Sequence, residues 1–122
     1  MDHRQLVRML AVGRLVLGST LLLAPKAAGG RWLGPVTGDR AAKVAIRGLA
    51  ARDLAIGAGT LQALSAGTPV RGWAVAGGVG DLVDAAATLL AIRQVGLRRA
   101  VPMLVIASSA AAVTFASADH LD

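Results

Sequence analysis

The chain has 122 residues, of which 55% are hydrophobic and 16% are charged, whereas about a quarter of a soluble domain is usually charged. It is long enough for one domain, and its lack of cysteine excludes disulfides, thiolate metal sites and cysteine nucleophiles. The net charge of +6 does not indicate nucleic-acid binding, because the cations are spread thinly over several loops without interleaved aromatic residues. Basic loops beside apolar runs are instead typical of membrane proteins.

Four apolar runs follow one another, at about residues 6–24, 44–64, 72–92 and 101–118. At about 1.5 Å of rise per residue, helices over these runs span roughly 27–32 Å, which matches a hydrocarbon core of about 30 Å. Proline and glycine mark the breaks between runs, and Pro102 is predicted in the first turn of the last helix. We therefore predict an all-α fold: a four-helix transmembrane bundle with antiparallel neighbouring helices, forming one integral membrane domain over residues 1–122.

Two other interpretations of these runs have less support. A cleaved signal peptide over the first run conflicts with Arg14, which interrupts the apolar stretch, and with the absence of a clear cleavage site. A soluble four-helix bundle should have charged outer faces, but the fourth run has no charge between Val101 and Ala118.

Loop cations predict the orientation. Loops one and three together contain seven: Lys26, Arg31, Arg40, Lys43, Arg93, Arg98 and Arg99. The opposite side has three: Arg4, Arg8 and Arg71. The composition, rich in Ala, Gly and Arg, is typical of a high-GC bacterial genome. We expect a multi-pass protein of the bacterial inner (plasma) membrane, with loops one and three in the cytoplasm, both termini outside, and Trp32 as an interfacial anchor.

Charged residues inside the predicted spans are the most informative feature. A central charge costs about 2.5–3.5 kcal/mol on insertion scales, so each needs a partner within the membrane. Three cations and three anions fall in the spans and would balance, forming a predicted buried polar centre: Arg14, Arg47, Arg52, Asp53, Asp81 and Asp84.

Small residues predict the helix faces that meet, because they allow close approach of membrane helices. The second span has one stripe, Ala41, Ala45, Gly48, Arg52, Ala55 and Gly59, and the third has another, Ala74, Gly77, Asp81, Asp84, Thr88 and Ala91. A short turn near residue 68 joins the two spans, so folding the chain there sets Arg52 opposite residue 84. We predict that Arg52 pairs with Asp81 and Asp84 between these two faces.

Asp53 lies about 100° around its helix from Arg52 and is predicted to pair with Arg14. Arg47 is either a second partner of Asp84 or extends toward the cytoplasm. These charges either fix helix register, as buried polar groups sometimes do, or form a functional centre for a proton, an ion or a ligand headgroup.

Two segments, Arg47–Gly57 and Gly80–Asp84, resemble small four-span bacterial membrane proteins of unknown function. The first span, followed by Pro25 and Arg31–Gly34, is similar to the same group. The resemblance implies a four-helix membrane fold and supplies no activity.

We expect an accessory or scaffold subunit of a membrane complex, surrounded by lipid and assembled as a homo-oligomer or with other subunits. The alternative is a carrier or binding protein for a proton, a quinone or a lipid, acting through the Arg/Asp centre. An enzyme has least support: no standard catalytic constellation, metal-ligand set or cofactor motif is present, and Gly77–Gly80 lacks the Lys-Ser/Thr that completes a phosphate loop.

Overall fold

The computed structural model describes residues 1–122, which are 89% helical and contain no strand. It has six α-helices and one 3₁₀-helix. In chain order these are α1 (His3–Leu23), α2 (Pro25–Leu33), the 3₁₀-helix (Gly34–Gly38), α3 (Arg40–Ala66), α4 (Arg71–Leu90), α5 (Ile92–Val95) and α6 (Leu97–Ala118).

Local signals explain where the long helices begin and end. Asp2 caps α1 by accepting a hydrogen bond from the Gln5 backbone, and Asp39 caps α3 by accepting one from Ala42. Gly67 ends α3 in the left-handed conformation, with φ of 67°, which a residue with a side chain adopts only with strain. The turn to α4 therefore falls where the sequence predicted it.

Two sequence expectations need correction. The last helix begins at Leu97, so Pro102 is its sixth residue and lies beyond the first turn. The apolar run marks only the part of the helix that follows its basic first turn, which contains Arg98 and Arg99. The first loop is also largely helical, because α2 and the 3₁₀-helix fill it and place Trp32 on a helix.

Glycines mark where the long helices come closest. The most extensive packing joins α1 to α3 and α4 to α6. A Cβ added at Gly57 of α3 would lie 2.9 Å from the carbonyl oxygen of Ala11 in α1. One added at Gly78 of α4 would lie 3.0 Å from the Phe115 ring of α6. The missing side chains thus permit close approach of the Ala11 backbone to α3 and of the Phe115 ring to α4.

Separate apolar clusters close the two ends of the molecule. At one end, residues from α1, α3, α4 and the C-terminal segment meet: Val7, Ala63, Leu64, Val70, Ala74 and Leu121. There the Asp122 carboxylate accepts hydrogen bonds from the Val70 and Arg71 backbone and so satisfies the start of α4. At the other end Leu21, Ile46 and Ala50 form the second cluster, between α1 and α3.

Three helices, α1, α4 and α6, are long and apolar enough to span a membrane. The 27-residue α3 is long enough but not apolar enough to meet the same criteria, since it carries Arg40, Lys43, Arg47, Arg52 and Asp53. Many large apolar side chains are exposed along the four long helices, including Val16, Leu23, Val83, Leu90 and Ile106. An apolar surface of this extent is unusual for a protein in water and suits contact with lipid.

Candidate functional site

Five of the six predicted charges meet at mid-length of three helices. Arg14 comes from α1, Arg52 and Asp53 from α3, and Asp81 and Asp84 from α4. All three aspartates are buried. Asp81 and Asp84 share one face of α4 because they are three residues apart, whereas the adjacent residues Arg52 and Asp53 point in different directions from α3.

Arg14 joins α1 to both other helices. Its guanidinium donates to Asp53 Oδ1 at 3.3 Å and to Asp81 Oδ2 at 2.6 Å. It lies against Gly77, where an added Cβ would come within 2.8 Å of Nη2. A single cation with 11% of its side chain exposed therefore joins α1 to α3 and α4, and the small residue beneath it makes room for the guanidinium.

Arg52 forms the second bridge. Its two terminal nitrogens reach the two oxygens of Asp84, at 3.2 and 2.7 Å, in the paired geometry favoured by guanidinium and carboxylate. Nη2 also contacts Asp53 Oδ1 at 3.3 Å, so Asp53 receives both arginines. The Nε atom of Arg52 is buried without a hydrogen-bond partner, although the side chain as a whole retains 31% exposure.

The observed pairing differs from the predicted one at Asp81, and of the two interpretations of Arg47 the pairing with Asp84 is not found. Asp81 pairs with Arg14, and Arg52 forms no ion pair with it. Arg47 is exposed and donates to the Leu22 carbonyl at 3.3 Å, away from the centre. The difference follows from the rotation of α3, which points Asp53 into the bundle. Arg52 then lies at the edge of the bundle beside Asp84, and Asp81 pairs with Arg14 of α1. The predicted Asp53–Arg14 and Arg52–Asp84 pairs are present.

The centre thus contains two arginines and three aspartates rather than three of each. With every group ionised, it has a formal charge of −1. Sharing of Asp53 between two cations, and of each arginine between two carboxylates, joins all five residues into one network.

The two predicted small-residue stripes differ in environment. The α4 stripe is buried at Ala74, Gly77, Asp81, Asp84 and Thr88. In the α3 stripe, Gly59 lies beneath the Trp73 ring and Arg52 contacts Asp84, but four other members are exposed: Ala41, Ala45, Gly48 and Ala55. The prediction that this stripe packs against α4 is wrong along most of its length, because α3 turns a different face toward α1: Ile46, Ala50, Asp53, Gly57 and Thr60.

Little space adjoins the polar centre. The cavity beside Arg14, between α1, α3 and α4, has a volume of about 10 Å³, close to the minimum that holds one water molecule. Nor do the three aspartates form a group suited to a metal ion. The geometry shows ion pairing at this centre, and the adjoining cavity is too small for an organic ligand.

A larger cavity that the sequence did not predict lies at the basic end. It has a volume of about 570 Å³ between α1, α2 and α6, with Arg31, Trp32 and Arg99 among its lining residues. The Trp32 indole donates to Thr88 Oγ1 at 3.0 Å, which fastens α2 to α4. The loop cations and Trp32 were visible in the sequence, but the cavity depends on how α2 folds back against α6.

No family model matches the chain, and neither a curated protein nor a solved structure is found to match it.

Proposed function

We propose that this chain is a four-span protein of the bacterial inner membrane that acts as an accessory or scaffold subunit, docking a neighbouring helix on the exposed side of α3. The observation that carries the proposal is the exposed small-residue stripe of α3, with the incompletely paired Arg52 within it. The resemblance to small four-span bacterial membrane proteins agrees with the membrane location and leaves the partner open.

In the proposed arrangement α3 crosses the membrane with α1, α4 and α6, and adjacent long helices run antiparallel. Contacts along the helices support this direction: Gly18 lies near Leu54 of α3, whereas Gly57 lies near Ala11. The ion pairs explain how α3 can cross the membrane despite its central charges. Each of its two central charges has an opposite charge from another helix, which offsets the insertion cost that its sequence alone carries.

The proposed orientation has the basic end in the cytoplasm and both termini outside. Basic residues of α2, α3, α5 and α6 lie beyond the apolar parts of the long helices at this end, and the positive-inside rule assigns such an end to the cytoplasm. The opposite end contains Asp2, Asp119 and Asp122 as well as Arg4 and Arg71.

The α3 stripe suits a helix partner rather than lipid alone. Small residues offer lipid little apolar contact but let a second backbone approach closely. At Gly48 an added Cβ would meet nothing within 4 Å, so this part of the face is open. Ala45 and Ala55, also exposed, extend the open surface along the helix on both sides of Arg52.

Arg52 adds a polar reason for a partner. A charged side chain that retains 31% exposure at mid-span is costly in hydrocarbon, and the Nε atom of Arg52 still lacks an acceptor. A helix lying along the stripe would cover the side chain, and a small shift of Arg52 would let a hydroxyl or carbonyl of that helix accept from Nε. Polar contacts of this kind are typical of associating membrane helices.

The carrier hypothesis has less support from the geometry. A quinone or a lipid headgroup needs a cavity of hundreds of Å³, whereas about 10 Å³ adjoins the polar centre. Proton exchange at the three aspartates is the form of this hypothesis that the geometry allows.

Native mass spectrometry of the tagged protein, extracted gently from its own membranes, tests the subunit proposal. We expect a stoichiometric complex, either with another protein or with a second copy. The double variant Ala45→Leu/Ala55→Leu adds bulk to the stripe and should dissociate the complex without unfolding the chain, since both positions are exposed.

The matched control is Ala112→Leu/Ala116→Leu, which adds the same volume to exposed positions of α6. It should retain the complex. A monomer without a partner, or equal loss of the complex in both double variants, would contradict docking on α3.

A further inference from the structure

The cavity between α1, α2 and α6 combines an apolar wall with two arginines. Leu17 of α1, Ala24 and Ala27 at and after its end, and Met103 and Ile106 of α6 form part of the wall. Arg31 and Arg99 line the same cavity from α2 and α6. Its volume of about 570 Å³ lies within the usual range of ligand sites, about 300–1,000 Å³.

Neither arginine has an acidic partner. The five ion pairs of the protein involve other residues, and Arg31 and Arg99 are exposed. The Arg99 guanidinium packs over Gly34, where an added Cβ would lie 3.1 Å from its central carbon. With a φ of 81°, Gly34 also has a conformation that disfavours side chains, so this glycine both ends α2 and leaves room for Arg99.

The start of α6 adds to the positive potential. Its first turn contains Arg98 and Arg99 and no acidic residue, and no side chain caps it. Because a helix N-terminus itself has a partial positive charge, these cations repel it and an anion nearby would stabilise it.

We propose that this cavity binds an anionic phospholipid, with an acyl chain along the apolar wall and the phosphate between Arg31 and Arg99. The apolar lining suits an acyl chain, and guanidinium groups pair well with phosphate. Basic pockets between membrane helices at the cytoplasmic side are typical sites for such headgroups, and Trp32 is a residue type enriched at that depth. The site requires the membrane location but not the subunit role, and it lies apart from the α3 stripe.

Native mass spectrometry in detergent, titrating phosphatidylglycerol against phosphatidylcholine with identical acyl chains, tests the site. Wild type should bind phosphatidylglycerol more tightly. Because each basic residue near an anionic lipid contributes about fivefold, Arg31→Gln/Arg99→Gln should weaken phosphatidylglycerol binding by about twenty- to thirtyfold. Circular dichroism and melting temperature establish that the variant remains folded.

Two further variants separate the site from general electrostatic attraction. Arg40→Gln/Arg93→Gln removes two exposed cations of the same end that neither line the cavity nor belong to the first turn of α6, and it should retain wild-type preference. Ala27→Phe fills the cavity and should weaken binding without changing the net charge. Equal affinity of wild type for both lipids, equal loss in the two double variants, or unchanged binding in Ala27→Phe would each overturn the proposal.

Discussion

The small-residue faces of α3 and α4 have the same sequence pattern but different environments. Gly77 of α4 lies beneath the paired Arg14 guanidinium, whereas Gly48 of α3 has nothing beside it within 4 Å. The pattern identifies faces on which helices can meet. It does not determine whether the meeting helix belongs to the same chain, because that depends on which neighbouring charge turns inward. In α3 the inward charge is Asp53, which is 2% exposed and contacts both arginines of the centre.

The largest expected effect comes from removing the cation that holds the inward faces together. Arg14→Gln should lower the free energy of unfolding by about 3–5 kcal/mol, because it leaves Asp81 without a cation and Asp53 with one. The measurement is unfolding in mixed micelles with increasing denaturing detergent. Arg47→Gln makes the same change at an exposed position outside the centre and should have little effect. Similar stability of the two variants would mean that the centre does not hold the helices.

The sequence could predict the contacts of this centre that follow from spacing along the chain, but not those that depend on how distant helices pack. Helical spacing and the short turn at Gly67 were sufficient to place Arg52 opposite Asp84, because both follow from distance along one hairpin. The partner of Asp81 could not be obtained in this way. It depends on the path of the chain from α1 through α2 and the 3₁₀-helix, which positions Arg14 against α4. No local spacing in the sequence encodes that path.

The helices also divide into those that local sequence predicts and those that depend on tertiary contacts. Three of the four long helices, α1, α4 and α6, agree with apolar runs, because hydropathy is a local property that can be summed over about 20 residues. Sequence periodicity missed α2, since its nine residues contain three glycines or prolines and little apolar character. That helix is held by tertiary contacts, such as the hydrogen bond from Trp32 to Thr88.

A glycine substitution on the buried α4 face tests the packing beneath Arg14. Gly77→Ala would place a Cβ 2.8 Å from Nη2 of Arg14, and a shift of that side chain away from the new methyl group would disturb its two ion pairs. We expect a loss of about 1–3 kcal/mol in unfolding free energy, as for other overpacked sites. The melting temperature in detergent measures it. An unchanged melting temperature would show that Arg14 is free to shift and that the α4 face is less constrained than its burial indicates.

A substitution of Thr88, at the end of the same α4 face, should have a smaller effect on the unfolding free energy. Thr88 is buried and accepts from the Trp32 indole while donating to the Asp84 carbonyl at 2.7 Å. Thr88→Val keeps the shape but leaves the indole N–H without its acceptor, so we expect a loss of about 1–2 kcal/mol. Tryptophan fluorescence should also change as α2 loosens. Thr20→Val, at an exposed threonine bonded to its own helix, is the matched control and should alter neither property.

The smallest expected effect has the opposite sign, and it separates the exposed face from the buried one most sharply. Gly48 lies inside α3 with free space beside it, so Gly48→Ala should stabilise the isolated chain by about 0.5–1 kcal/mol through helix propensity. If a partner helix packs on this stripe in the native membrane, the added methyl group would meet that helix. The variant should then melt higher than wild type when purified alone, yet retain less of the native complex on extraction. A higher melting temperature with unchanged complex yield would mean that the partner, if it docks on α3, leaves Gly48 open, and the docking face would have to be sought nearer to Arg52 and Ala55.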